Sequence, residues 1–479
     1  MASKVEETIR KGVGSAILGI GKASAAMKSR KGDHPYVSGL HRPMTEEVTL
    51  EQLPVTGAIP AHLDGRYMRI GPNPIGPVNA ATHHWFVGDG MVHGIRIKDG
   101  QADWYRNRWL RSNAVSKALG EPPAPGPRND RSDTVNTNVI GHAGKIFGVV
   151  EAGGHPVELS DTLDTVRHSD FDGTLGSAFS AHPHKDPETG ELHAITYNAP
   201  DLNVVHHTVL GTDGKVRRDE PIAVEHGPSI HDCAITGNYV VVMDLPVTFS
   251  MKRIMGGYGF PYAWNPQHKA RIGLLGKEAV GDTIVWHDID PCYVFHPANA
   301  YERADGAVVM DVCVHDKLFH ESTEGPDDSR MSFERWVIDG KGGKVERTVL
   351  DPDPQEFPRF DERLTGKPYR YAYTVATNNA GAEFVGDSFL YKHDLETGTR
   401  ETHDFGTHRY PGEFVFVPYG EGELDGHLMG LVVDADNETT DLVILDVKDF
   451  EGDPVATIRL PHRVPPGFHG NWVDDTDLA

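Results

Sequence analysis

The 479-residue sequence carries 46 Lys and Arg against 70 Asp and Glu, a net charge of −24 that repels phosphates and excludes a nucleic-acid partner. Hydrophobic residues make up only 38%, while 52 Gly and 33 Pro favour many short strands joined by tight turns over long helices. No uncharged apolar run nears the roughly 20 residues that a transmembrane helix needs, and Cys233, Cys292 and Cys313 are too few for a disulfide framework or a cysteine zinc site.

The first element is distinct from the rest. Residues 1–31 hold seven Lys and Arg and two Glu, a local charge of +5. Val5, Ile9, Val13, Ile17 and Ile20 recur at the spacing of one helical face. A basic amphipathic helix of this kind lies in a membrane interface, so residues 1–35 read as an N-terminal segment with peripheral membrane contact. Gly and Lys interrupt its apolar stretch, unlike a cleaved secretion signal. With the cysteines read as buried free thiols, the expected location is the cytoplasm, at the inner face of the membrane.

From residue 36 to 479 the sequence reads as one domain of β-rich runs. A short helix is expected near 112–120. The stretch "FSAHPHKDPETGELHAITYN" (179–198) reads as a hairpin, with turn chemistry at 186–190. "NYVVVMDLPV" (238–247), "AVVMDVCVH" (307–315), "HLMGLVVDA" (427–435) and "TTDLVILDV" (439–447) read as strands, separated by turns such as "GTDGK" and "DGKGGK". Many short strands over 400 residues with no change in composition fit a β-propeller, whose ring of blades protects strand edges.

Among 27 histidines, four stand at strand edges in apolar surroundings: His182, His231, His296 and His469, separated by 49, 65 and 173 residues. Such distances suit ligands converging from different blades on the axis of a ring. His184 and His193, in the same hairpin as His182, read as exposed. A rival motif, His168-Ser169-Asp170, has the H-x-D pattern of a facial triad, but its polar, turn-rich surroundings suit an exposed loop.

These segments, together with "GRYMRIGPNP" (65–74), "HWFVGDGMVHG" (84–94), "YRNRWLRS" (105–112), "NTNVIGHAGKIFGVVEAG" (136–153) and "EFPRFDERLTGKPYRYAY" (356–373), resemble the carotenoid cleavage oxygenase family. The resemblance runs from about residue 36 to 475. It implies an all-β, seven-bladed propeller with a cap of loops and short helices over one face. It also implies that His182, His231, His296 and His469 bind one Fe(II). Glu151, Glu356 and Glu413 would orient His231, His296 and His469 respectively, leaving His182 without a carboxylate. Thr137 matches the position whose methyl group crowds one coordination site.

The implied reaction is cleavage of a C=C bond by O2 into two carbonyl products. Stilbene-cleaving relatives carry a Lys just before the first glutamate, where this chain has Val150. That points to an apolar polyene, a carotenoid or apocarotenoid, as the substrate; a stilbene or phenylpropanoid is the alternative. A retinoid isomerase and a non-catalytic propeller that binds partners through its faces are the readings outside oxygenase chemistry. Phe86 and Trp109 are candidate tunnel aromatics. In "LPVTFSMKRIMGGYGFPYAW" (245–264), Phe249, Met251, Ile254, Met255 and Phe260 are candidates for an apolar patch that dips into the bilayer. No obligate protein partner is evident.

Overall fold

Strands flanked on both faces by other sheets read as unbroken apolar runs, while outer strands alternate. Both patterns are present. Val308–His315 and Gly426–Asp434 are buried along their whole length, whereas Val216–Ala223 alternates half-buried and exposed residues. In a computed structural model, which describes residues 17–129, 132–176, 178–326, 330–377 and 386–478, these strands form seven blades in a ring, a β-propeller.

Blade 1 joins Gly65–Pro72, Gly90–Lys98 and Gln101–Trp109 to the C-terminal strand Gly470–Asp474. Blades 2 to 6 follow in chain order, with innermost strands beginning at Asn138, His184, Cys233, Pro297 and Gln355. Blade 7 contains Val415–Pro418, Gly426–Asp434, Thr439–Asp446 and Ala456–Leu460, and takes Val55–Gly57 on its outer edge. N- and C-terminal strands therefore pair twice, in blades 1 and 7, and close the ring without a free inner edge.

The core lies between blades. Tyr67 and Ile95 of blade 1 pack with Val415, Leu442 and Ile458 of blade 7 in one buried cluster. Each such aliphatic side chain contributes about 1.5–3 kcal/mol.

The expected helix near 112–120 is Asn113–Leu119. Ser112 caps it by accepting the Val115 N–H, and Gly120 ends it in the left-handed conformation at φ 72°. A second helix spans 17–27 and a third covers Met251–Met255. These two touch. A Cβ on Gly21 would come within 2.4 Å of the Ile254 carbonyl oxygen, and one on Gly257 would meet the Gly21 carbonyl at the same distance, so only glycines allow the approach. Lys28 sits 3.6 Å over the Tyr258 ring and Ser24 donates to the Gly256 carbonyl at 3.3 Å. Val5, Ile9 and Val13 of the amphipathic reading lie outside the described residues. Among the described residues, no helix is long and apolar enough to cross a membrane.

Two expectations of exposure are corrected. In the 179–198 hairpin His184 pairs with His193, as the turn chemistry suggests. Neither is a free surface residue: His193 is buried against His207, and His184 bonds to Asp232 of the next blade. His168 and Ser169 are buried as well, with His168 Nε2 at 3.1 Å from the Arg111 carbonyl. In each case the covering comes from distant sequence, which local polarity does not report. All three cysteines are free and buried.

Candidate metal centre

Each innermost strand carries one candidate residue within two positions of its start. In blade order these are Thr137, His182, His231, His296, Glu356, Glu413 and, closing blade 1, His469. These seven positions comprise four imidazoles, two carboxylates and one threonine. Glu151 follows the second strand of blade 2, Lys145–Val149.

The four histidines are buried, none more than 8% exposed, and one nitrogen from each lies within 4.8 Å of the others. His182 Nε2 is 3.1 Å from His231 Nε2, which is 3.2 Å from His296 Nε2. The rings of His182 and His469 are centred 4.4 Å apart. The outward nitrogens meet carboxylates. His231 Nδ1 donates to Glu151 at 2.9 Å, His296 Nδ1 to Glu356 at 2.6 Å and His469 Nδ1 to Glu413 at 3.1 Å. All three pairings expected from the resemblance are therefore present as contacts.

These contacts decide the chemistry. A ring that gives its Nδ1 proton to a carboxylate leaves a lone pair on Nε2. His231 and His296 both do so, and their Nε2 atoms then oppose one another at 3.2 Å. Two lone pairs at that distance repel unless a cation lies between them. Two metal–nitrogen bonds of about 2.1 Å at a right angle span about 3.0 Å, close to the observed spacing. The residues fit a metal ion.

Burial first, then the neighbouring imidazoles, holds His182 well below the ordinary histidine pKa, in the neutral form that ligates. Burial likewise lowers His469, against the pull of Glu413. Burial acts to lower His296, but the contact with Glu356, joined by the charges of Asp232 and Glu413, raises it. Burial alone would raise Glu413, yet His469 and Arg359 bring it down to about 2. Glu356 is lowered further, by His296 and His315 against the same burial cost. Both are carboxylates at neutral pH, and a cation on the axis would offset their buried charge.

The surroundings are aromatic. Phe295 is centred 5.1 Å from His231, and Phe357 stacks on His296 at 5.5 Å and meets His469 at 5.3 Å. Phe357 owes this position to a left-handed backbone at φ 53°, inside a register shift between Glu356 and Arg359. Such a bulge re-aims one side chain at the cost of strain. Phe86 reaches Phe295 at 6.0 Å and also touches Phe260, Phe319 and Phe468, so it joins the aromatic wall of the site.

Trp109 does not join it. Its Nε1 donates to the Asn73 carbonyl at 2.8 Å and its ring packs with Met91 and Val115 in a separate cluster. Val150 is half-buried beside Glu151 and packs against the Leu110–Val135 cluster. Thr137 accepts the His469 N–H on its carbonyl at 3.2 Å, while its hydroxyl donates to Asn136 at 3.0 Å. Of the patch candidates, Met251 and Met255 are exposed and Phe249 and Ile254 half-buried. Phe260 is buried, stacked on His84 at 4.2 Å, and faces the interior.

Sequence reading missed Phe295, Phe357, Tyr197 and Asp232. Tyr197 donates to Glu151 at 3.0 Å. Phe295 and Asp232 directly adjoin His296 and His231, and Phe357 adjoins Glu356, so adjacency was the available signal for these three; Tyr197 offered none.

The chain is similar to known proteins over most of its length. The family model described as retinal pigment epithelial membrane protein (RPE65) matches residues 41–474. A carotenoid cleavage oxygenase of Mycobacterium tuberculosis is 42% identical, over 94% of this chain and 99% of its own length. Among solved structures, the lignostilbene dioxygenase of Pseudomonas brassicacearum superposes with a TM-score of 0.84 at 26% identity, covering 93% of this chain and all of that one. The cobalt-substituted apocarotenoid oxygenase of Synechocystis superposes with a TM-score of 0.79 at 27% identity, covering 90% of this chain and 97% of that one.

Proposed function

Starting from the fact that this chain belongs to the RPE65 and carotenoid cleavage oxygenase family and is an oxygenase, we propose that it is an Fe(II)-dependent dioxygenase cleaving a C=C bond of a carotenoid or apocarotenoid. The balance is R–CH=CH–R′ plus O2 giving R–CHO plus R′–CHO.

The observation that carries the reading is the pairing of a four-imidazole cluster with an apolar wall. Phe295 and Phe357 lie against the histidines, and Phe86 extends that surface outward. Imidazole donors suit several first-row metals, iron among them. Iron bound there would supply the reactivity toward O2 that a closed-shell alkene lacks. The chain's own residues do the rest. Glu151, Glu356 and Glu413 hold three rings with Nε2 inward, and the aromatic side chains exclude water and hold a flat polyene by its faces. The methyl of Thr137 limits the space beside the metal. Selectivity between double bonds follows from where the tunnel stops the substrate.

Val150 supports the polyene over a stilbene, because it offers no polar group to a phenol next to Glu151. The structural similarity to a lignostilbene dioxygenase favours the second reading. Incubating the Fe(II)-loaded protein with a long apocarotenal and with resveratrol, in micelles under air, separates them by product mass. Aldehydes from the stilbene alone would overturn the substrate class and leave the metal site standing.

The protein is also proposed to dock on bilayers. Leu18, Ile20 and Met27 of the 17–27 helix are 51%, 51% and 82% exposed, and Met251 and Met255 of the helix packed on it are each 43% exposed. Lys22 and Lys252 are exposed on the same two helices. Exposed apolar side chains ringed by lysines suit the headgroup boundary of an anionic membrane. Absence of co-sedimentation with anionic liposomes would overturn this.

A further inference from the structure

Each glutamate behind a histidine is itself held by other groups. Glu356 accepts the Phe357 N–H at 2.7 Å and meets His315 Nε2 at 3.1 Å. Glu413 accepts the Gly470 N–H at 2.8 Å and an Arg359 guanidinium N–H at 3.4 Å. Among the described residues no glutamate stands behind His182. Beside its outward nitrogen, however, the same arrangement recurs with an aspartate. Asp232 is only 4% exposed and accepts the Cys233 N–H at 2.6 Å. Its Oδ1 lies 2.7 Å from His184 Nε2, and its Oδ2 lies 3.9 Å from His182 Nδ1.

We propose that Asp232 is the positioning carboxylate of His182, with His184 standing behind it as His315 stands behind Glu356. The inference rests on the metal reading of the four histidines. An aspartate is one methylene shorter than a glutamate, which accounts for the longer gap. A ring movement of about 1 Å brings His182 within hydrogen-bond reach of Oδ2. Even at 3.9 Å, a buried carboxylate favours the proton on Nδ1, and so the lone pair on Nε2 that faces His231. Asp232 and His184 come from neighbouring blades, so the pair also pins blade 3 to blade 4. A purely structural tie would need no carboxylate charge toward His182, and this difference is testable.

The full-length protein is loaded with Co(II), whose visible absorption reports ligand geometry, and affinity is measured by competition with a chelator. Asp232→Asn keeps an oxygen for the Cys233 N–H. It is expected to melt like wild type as the apoprotein, to bind Co(II) about 10–100-fold more weakly, and to shift the absorption bands. Asp232→Glu keeps the charge and is expected to bind within about threefold of wild type, with the wild-type bands. Should Asp232→Asn fail to fold, Asp232→Glu against Asp232→Gln isolates charge at constant length, and Glu is expected to bind at least about tenfold more tightly. Equal affinities and spectra in the decisive pair would sink the proposal. If wild-type protein takes up no Co(II) at all, the metal reading falls and this inference falls with it.

Discussion

Two pairs of buried histidines in this molecule have nearly the same spacing and opposite meanings. On the axis, His231 and His296 bring Nε2 atoms to 3.2 Å; inside blade 3, His193 Nδ1 and His207 Nε2 lie 3.0 Å apart. The blade pair closes a donor–acceptor chain: Arg218 donates to His207 Nδ1 at 3.3 Å, and His207 Nε2–H donates to His193. No ion is required. On the axis each ring, when neutral, gives its one proton to a carboxylate, and two lone pairs are left opposed unless a proton or a metal ion lies between them. Proximity of imidazoles is therefore no evidence of a metal until the protons are counted.

The sharpest way to break this comparison is to remove one axial ring. His296→Ala is expected to reduce bound metal from about one per chain to near zero and cleavage by at least about 10³-fold, read by metal analysis and product formation. Retained stoichiometric metal would show that the opposed lone pairs were misassigned. Next in size is Glu356→Gln, which leaves the ring but loosens its orientation. A loss of about 10–100-fold in metal affinity is expected, by chelator competition.

The blade pair should behave in the opposite sense. His207→Leu is expected to cost about 1–3 kcal/mol of stability by denaturant unfolding, since it strands the Arg218 and His193 polar groups, while metal content stays at one per chain. Burial holds His193 down at about 4 and His207 at about 2. The unfolded chain thus binds more protons than the folded one below its ordinary histidine pKa. Stability falls as pH drops from about 6.5 toward 4, and His207→Leu should flatten that slope in the apoprotein. The smallest effect is expected at the surface. Leu18→Ser with Met255→Ser should lower liposome partitioning several-fold, as apolar burial scales with area, and leave metal binding on the axis unchanged.

The strands were legible in the sequence because blades stack: Val308–His315 and Gly426–Asp434 are covered on both faces and spell continuous apolar runs. The axial histidines were legible as strand-edge residues in apolar contexts. Their convergence was not, since no spacing rule links positions 182 and 469; resemblance supplied it. Exposure was the weakest reading. His184, His193 and His168 sit among polar neighbours in sequence and are covered by Asp232, His207 and the Arg111 backbone from elsewhere. Phe260 looked like part of a surface patch because it follows Met251–Met255, but the chain turns at Gly256 and Gly257 and sends it inward. Phe357 required a backbone conformation that its residue type does not advertise.

The pairing of Gly65–Pro72 with Gly470–Asp474 also has a consequence for biosynthesis. His469 directly precedes that closing strand, so the last of the four axial histidines arrives with the segment that seals the ring. During translation, some 287 residues separate the emergence of His182 from that of His469. Over that interval, three imidazoles with their carboxylates can gather without a closed cage. Long-range pairing of this kind is slow to form, so an ion held by all four histidines would be enclosed only after nearly the entire propeller has been made. An ion held there would bridge blades that meet at their faces, and its release is expected to track the opening of the seam between blades 7 and 1 rather than the breathing of any single loop.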